Sequence, residues 1–150
     1  MKWITRERPK IDRVACPWLI ARFIDNDPQF VFVPADQVLP QADATGAIPY
    51  DVPGVELTHD GPLCSFDALL KKYGLTDSCL HDLAVIVRGA DTARPDLAPQ
   101  CAGLLAISLG LSHNFADDQE QLVHGFVMYD ALYSWLKHVR AEKHDWNPQR

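Results

Sequence analysis

The side chains able to do chemistry are few and scattered. The chain has no Gly-x-x-x-x-Gly-Lys phosphate loop, no Gly-x-Ser-x-Gly elbow, no His-Glu-x-x-His and no Rossmann glycine triplet, which sets aside nucleotide chemistry and serine hydrolysis. What remains is imidazole and carboxylate, a donor pair suited to a divalent metal such as zinc, manganese or iron. Three residues are best placed for it: His59 at the end of a predicted strand, Asp67 in the first turn of a helix, and Asp91 just past the end of another. Each has an ordinary alternative. His59-Asp60-Gly61-Pro62 reads as a turn, Asp67 suits the positive end of a helix dipole, and Arg88 with Asp91 reads as a surface ion pair. His81, His113, His124, His138 and His144 lie on helix faces or in the tail without a fixed carboxylate neighbour. A second kind of site, for an oxyanion, is suggested by Arg13 ahead of a helix that begins near Pro17, where free backbone N–H groups and a guanidinium suit a tetrahedral anion. Arg6, Arg8 and Lys10 are expected to form a solvated basic face.

The elements that must position these residues follow from periodicity. Trp3-Ile4-Thr5 is β-prone, and Phe30 to Val33 is an apolar run ended by Pro34, the pattern of a buried strand. Between them Cys16, Leu19, Ile20, Phe23 and Ile24 make one helical stripe, so the two strands should run parallel. Residues 34–63 are punctuated by Pro and Gly and read as irregular, apart from a half-buried strand over Val55 to His59. From Cys64 onward the chain reads as helical. Ser65 is the expected N-cap of a stripe that Gly74 ends, and further stripes run from Leu80 to Val87 and from Leu97 to Leu111. The last helix opens on Asp117 and Glu120 and carries Leu122, Phe126, Tyr129, Tyr133 and Leu136. Val123, Val127, Leu132 and Trp135 widen its apolar face, which predicts cover on more than one side, by the domain or by a second copy in a homodimer. The expected fold is one α/β or α+β domain over 1–150, with a small N-terminal sheet, four to five helices and an all-helical C-terminal half.

At 150 residues the chain has room for one core of ordinary size, and 47% apolar with 23% charged residues excludes disorder and fibrous classes. No apolar run approaches the ~20 residues of a bilayer span, and the start lacks a secretory signal, so no membrane partner and a cytoplasmic location are expected. Net charge is -6, divided between a basic head over residues 1–13 and an acidic remainder, which disfavours a nucleic-acid partner. Four cysteines without a Cys-x-x-Cys read as reduced, mostly buried thiols.

Several of these segments together resemble a known family. Arg13 to Asp25 with its Cys-Pro-Trp-Leu-Ile core, Phe32-Val33-Pro34, Val55 to His59, Cys64-Ser65-Phe66-Asp67 and Ile86 to Asp91 look like the C-terminal domain of bacterial chromate-resistance proteins of the ChrB type. The resemblance implies a bacterial cytoplasmic domain tied to chromate resistance, without the DNA-binding region of the full regulator. It strengthens a metal site at His59, Asp67 and Asp91. It also marks a departure, since Arg88 stands where the family pattern often has histidine. The expected pocket therefore holds a divalent metal, an oxyanion such as chromate bound by Arg13 and Arg88, or both. Two other classes stay open: a metal-dependent hydrolase unrelated to chromate, and a structural or dimerisation module with a buried ion network. Chromate reduction by Cys16 or Cys64 is disfavoured, because apolar surroundings raise a thiol's pKa.

Overall fold

The structure is a computed structural model that describes residues 1–149. Three parallel strands form a sheet in the order β2-β1-β3, with β1 at Lys2–Arg6, β2 at Gln29–Val33 and β3 at Ile48–Pro49. Six helices accompany it: α1 (Asp12–Leu19), α2 (Val38–Thr45), α3 (Ser65–Lys72), α4 (Ser78–Asp91), α5 (Cys101–Asn114) and α6 (Asp118–Ser134). The fold is α/β with a helical C-terminal half, as expected. Strand alternation divides the apolar residues between two cores. Trp3, Phe30 and Phe32 join the main core with α1, α3, α4, α5 and α6, whereas Ile4, Val31 and Val33 join a smaller one with Val38, Ala42, Ala47 and Val52.

Several expectations need correction. β2 is an edge strand and only half-buried, so its unbroken apolar run reflects cover on both faces without full burial. α1 begins at Asp12, ahead of Pro17, which therefore lies inside the helix. The proline lacks an N–H for the preceding turn, and after it the helix widens into a π turn over Ile20–Ile24 that ends with Asp25 N–H bonded to the Ile20 carbonyl at 2.8 Å. Part of the segment read as irregular is α2, with its C-terminal Gly46 at φ 74°. Residues 55–59 do not form a strand; only an isolated bridge joins Leu57 to Tyr50. The N-cap of α3 is Cys64, with Ser65 its first helical residue. α4 runs past Gly89 to Asp91. The capping reading of α6 holds, since the Asp117 carboxylate accepts from Glu120 N–H at 3.0 Å. Leu122, Gly125 and Tyr129 bury that helix, but Val123 and Val127 face solvent in this chain.

Two glycines in adjacent helices have opposite roles. A Cβ at Gly89 would collide with Cys101 Sγ and lie 2.7 Å from the Arg94 carbonyl, so this glycine lets the chain after α4 and the start of α5 approach closely. Gly103, in the exposed interior of α5, has nothing within 4 Å. Gly89→Ala is expected to destabilise the fold by about 1–3 kcal/mol and Gly103→Ala to stabilise it by up to about 1 kcal/mol, both read from denaturant midpoints.

Candidate metal centre

Three carboxylates from three separate segments converge on one imidazole. His59 Nε2 lies 3.0 Å from Asp91 Oδ2, 3.3 Å from Asp51 Oδ1 and 3.6 Å from Asp12 Oδ2. Asp12 is the first residue of α1, Asp91 the last of α4, and Asp51 and His59 sit on the loop between β3 and α3. One donor atom from each of Asp12, His59 and Asp91 lies within 4.8 Å of the other two.

Asp12 is held from all sides. Its Oδ2 accepts from Ser65 N–H at 2.8 Å, and its Oδ1 accepts from Phe66 N–H at 3.1 Å and from the Cys16 thiol at 3.2 Å. The carboxylate thus takes up free N–H groups at the start of α3 and ties α1 to that helix. Burial pushes its pKa well up, and the neighbouring Asp51 and Asp91 push it further. Asp91 is also raised, by burial first and by Asp51 next, against the lowering effects of His59, the Asp12 N–H and Arg13. Asp51 is balanced differently. Its Oδ2 is 3.1 Å from Arg6 and 3.5 Å from Arg13, and its Oδ1 accepts from Ser65 Oγ at 2.8 Å. In the centre Asp12 and Asp91 thus both contact His59, and Arg13 acts on Asp91 from farther off.

The backbone is strained at the same place. Ile11, which leads into Asp12, has φ 39°, and Asp51 has φ 52°. A positive φ is unfavourable for a β-branched residue such as Ile11, and it persists because burial and the Tyr129 hydroxyl, 3.1 Å from the Ile11 carbonyl, hold it. The Tyr50 hydroxyl, beside Asp51, is buried without a hydrogen-bond partner.

The centre fits a cation by its donor chemistry. Two ligands at about 2.1 Å in tetrahedral geometry stand about 3.4 Å apart. The observed 3.0 and 3.6 Å separations of Nε2 from Asp91 and Asp12 bracket that value.

Of the residues expected at a metal, His59 and Asp91 are here and Asp67 is not. Asp67 accepts from Cys64 N–H at 3.0 Å, completing a capping box at the start of α3, and from Arg88 at 2.8 and 3.1 Å in a two-pronged pair. That hydrogen-bonded pair raises the pKa of Arg88. Arg88 is thus committed within the chain. So is Arg13, which donates to the carbonyls of Arg6 and Glu7 at 3.1 and 3.0 Å and flanks Asp51. Burial and Arg6 lower its pKa. The anionic partner expected for Arg13 is Asp51. The basic face is also partly internal, since Arg6 reaches Asp51 and Arg8 donates to the carbonyls of Ser112, Phe115 and Ala116 at the end of α5. All four cysteines are free, and burial raises the thiols of Cys16 and Cys64.

Asp12 and Asp51 were not singled out in the sequence. The signal for Asp12 is its position four residues before Cys16, on the backward extension of the buried stripe of α1. Pro17 concealed it by suggesting a later helix start. Asp51 carries no comparable mark.

Fold and centre define an α/β domain with a carboxylate and histidine cluster at helix ends. The family model for the ChrB C-terminal domain matches residues 3–136, and the chain belongs to that family. Protein ChrB of Cupriavidus metallidurans is 33% identical over 140 residues, which are 93% of this chain and 42% of that relative. The chain thus spans less than half the length of this curated relative. No solved structure matches it. Among the described residues no helix is long and apolar enough to cross a membrane.

The pairing of Asp67 with Arg88 makes a measurable claim. In a double-mutant cycle with Asp67→Asn and Arg88→Met, unfolding in denaturant should give a coupling of about 1–2 kcal/mol, as expected for a two-pronged, largely shielded pair; additive single effects would refute it.

Proposed function

We propose that this domain serves chromate resistance in the bacterial cytoplasm by holding one divalent cation, zinc, manganese or iron, at Asp12, His59 and Asp91. The observation that carries the reading is the approach of three carboxylates to within 3.0–3.6 Å of His59 Nε2, one of them from the buried Asp12. Burying that much negative charge around one imidazole is costly without a compensating cation. Membership in the ChrB C-terminal domain family supports the chromate connection. The ligand is a small molecule, because an acidic body with its head arginines tied down offers little to a nucleic acid.

A cation at such a site acts as a Lewis acid and lowers the pKa of bound water. The chain's own residues divide the remaining work. Asp12, held by two backbone N–H groups and a thiol, is the rigid wall, while Arg6, Arg13 and Ser65 hold the Asp51 carboxylate in place beside His59. The two arginines expected to seize an oxyanion are occupied by internal partners, so an anion would approach from the His59 side. There the side chains of His59 and Asp91 are 39% and 18% exposed, against 1% for Asp12.

Elemental analysis and titration with Mn(II), Zn(II) and Fe(II) should find about one ion per chain. His59→Ala and Asp91→Asn should each abolish uptake, whereas the double variant Asp67→Asn with Arg88→Met should retain it. Folded protein that takes up none of these metals would overturn the centre. In a chromate-sensitive bacterial host the wild-type chain should raise tolerance and His59→Ala should not; equal tolerance with both would remove the link between the centre and chromate.

A further inference from the structure

Next to the centre along the chain, the loop after His59, the end of α4 and the segment that follows it line a half-open cavity of about 280 Å³, at Gly61, Pro62, Arg88, Thr92, Arg94 and Leu97. Arg88, Asp91 and Thr92 stand at i, i+3 and i+4 on α4, so the cavity borders the same helix face that supplies Asp91 to the centre. His59 and Asp91 adjoin its lining along the chain, two residues before Gly61 and one before Thr92. From these features we infer that it receives a small organic anion, a molecule with an apolar body and one phosphate or carboxylate head, whose head faces Arg94 and the neighbouring centre. The inference rests on the metal reading above for the role of that centre.

Size and lining both argue for an organic ligand over a bare oxyanion. The cavity has room for about nine times the volume share of one water, several times what a four-oxygen anion fills. Pro62 and Leu97 provide apolar wall, which a bare dianion would leave unmatched. The two guanidiniums differ in availability. Arg88 is fixed by Asp67 and shapes the wall, while Arg94 is held by Asp96, two residues on, in a pair that is 58% and 62% exposed. An exposed local pair of this kind yields readily to an incoming anion. The carbonyl of Gly89 holds Arg94 N–H at 2.9 Å, and Ala93 between them takes φ 56°, so the backbone of Arg94 is anchored while its side chain remains at the rim.

Isothermal titration of the full chain with phenyl phosphate, benzoate and inorganic phosphate tests this, with metal content measured on the same samples. At least one of the two organic anions should bind about tenfold more tightly than inorganic phosphate. Arg94→Ala should weaken that binding by about tenfold, the loss of one charge-assisted contact, while leaving metal uptake unchanged. Leu97→Asp should weaken it as well, and Arg140→Ala, at a residue that pairs with Asp82 and does not line the cavity, should not. Inorganic phosphate binding as tightly as both organic probes, no binding by either, or an unchanged affinity in folded Arg94→Ala would each overturn the inference. Metal uptake without organic-anion binding would defeat this inference alone; Arg94-dependent binding without metal uptake would defeat the metal reading alone.

Discussion

The structure depends on one buried carboxylate. Asp12 opens α1 and, through its two oxygens, accepts the first N–H groups of α3, the thiol one turn along its own helix and the approach of His59. An unpaired charge in that position would be strongly destabilising, so each of these contacts is a condition for the others. It joins residues more than fifty positions apart in sequence and sets the distance between α1 and α3. It also fixes where the loop carrying His59 must pass. The strained Ile11 is a consequence: the chain bends sharply from the loop after β1 to place Asp12, and Tyr129 of α6 secures the bend from the other side.

The charges are arranged around that carboxylate by segregation. Arg6 and Arg13 are spent on Asp51, Arg88 on Asp67 and Arg8 on the end of α5, which leaves Asp12 and Asp91 to His59. The basic head visible in the composition is therefore less a surface for an external partner than a supply of internal counter-charges. Electrostatics of this kind makes the centre unlike its surroundings: Asp51 and Asp67 each contact a guanidinium, whereas Asp12 and Asp91, whose pKa values are raised, contact His59.

How much of this was legible depended on the range of the interaction. The parallel strands, the apolar stripes of α3, α4 and α6 and the Asp117 cap rest on periodicity and local capping, and they appear where the spacing places them, whereas α5 starts at Cys101 and leaves Leu97 in a separate 3-10 turn before it. The start of α1 did not, because Pro17 is favoured in a first turn and here is tolerated in a later one with a π turn beyond it. The α2 helix was hidden among prolines and glycines. At the centre, His59 and Asp91 could be chosen by residue type and position near predicted element ends. Asp12 was concealed by Pro17, and Asp51 is distinguished only by burial and by contacts with Arg6, Arg13, His59 and Ser65, 8 to 45 positions away. Asp67 was chosen for a favourable local position at a helix start, and that local role is the one it has.

Position 88 explains why Asp67 stands apart. It lies one turn before Asp91 on the same face of α4, close enough to Asp67 for either a shared ligand or a salt bridge. Histidine there would offer a nitrogen beside the Asp67 carboxylate, a donor pair. Arginine has no lone pair to give and instead grips both oxygens of Asp67, so one substitution withdraws two donors from any metal. It does not create an anion site in exchange, because the guanidinium's charge is already matched. The donors left free to hold a cation, on the reading proposed above, are the deeper set, Asp12 with His59 and Asp91, and Arg88, fixed by Asp67, becomes part of the wall of the adjoining cavity.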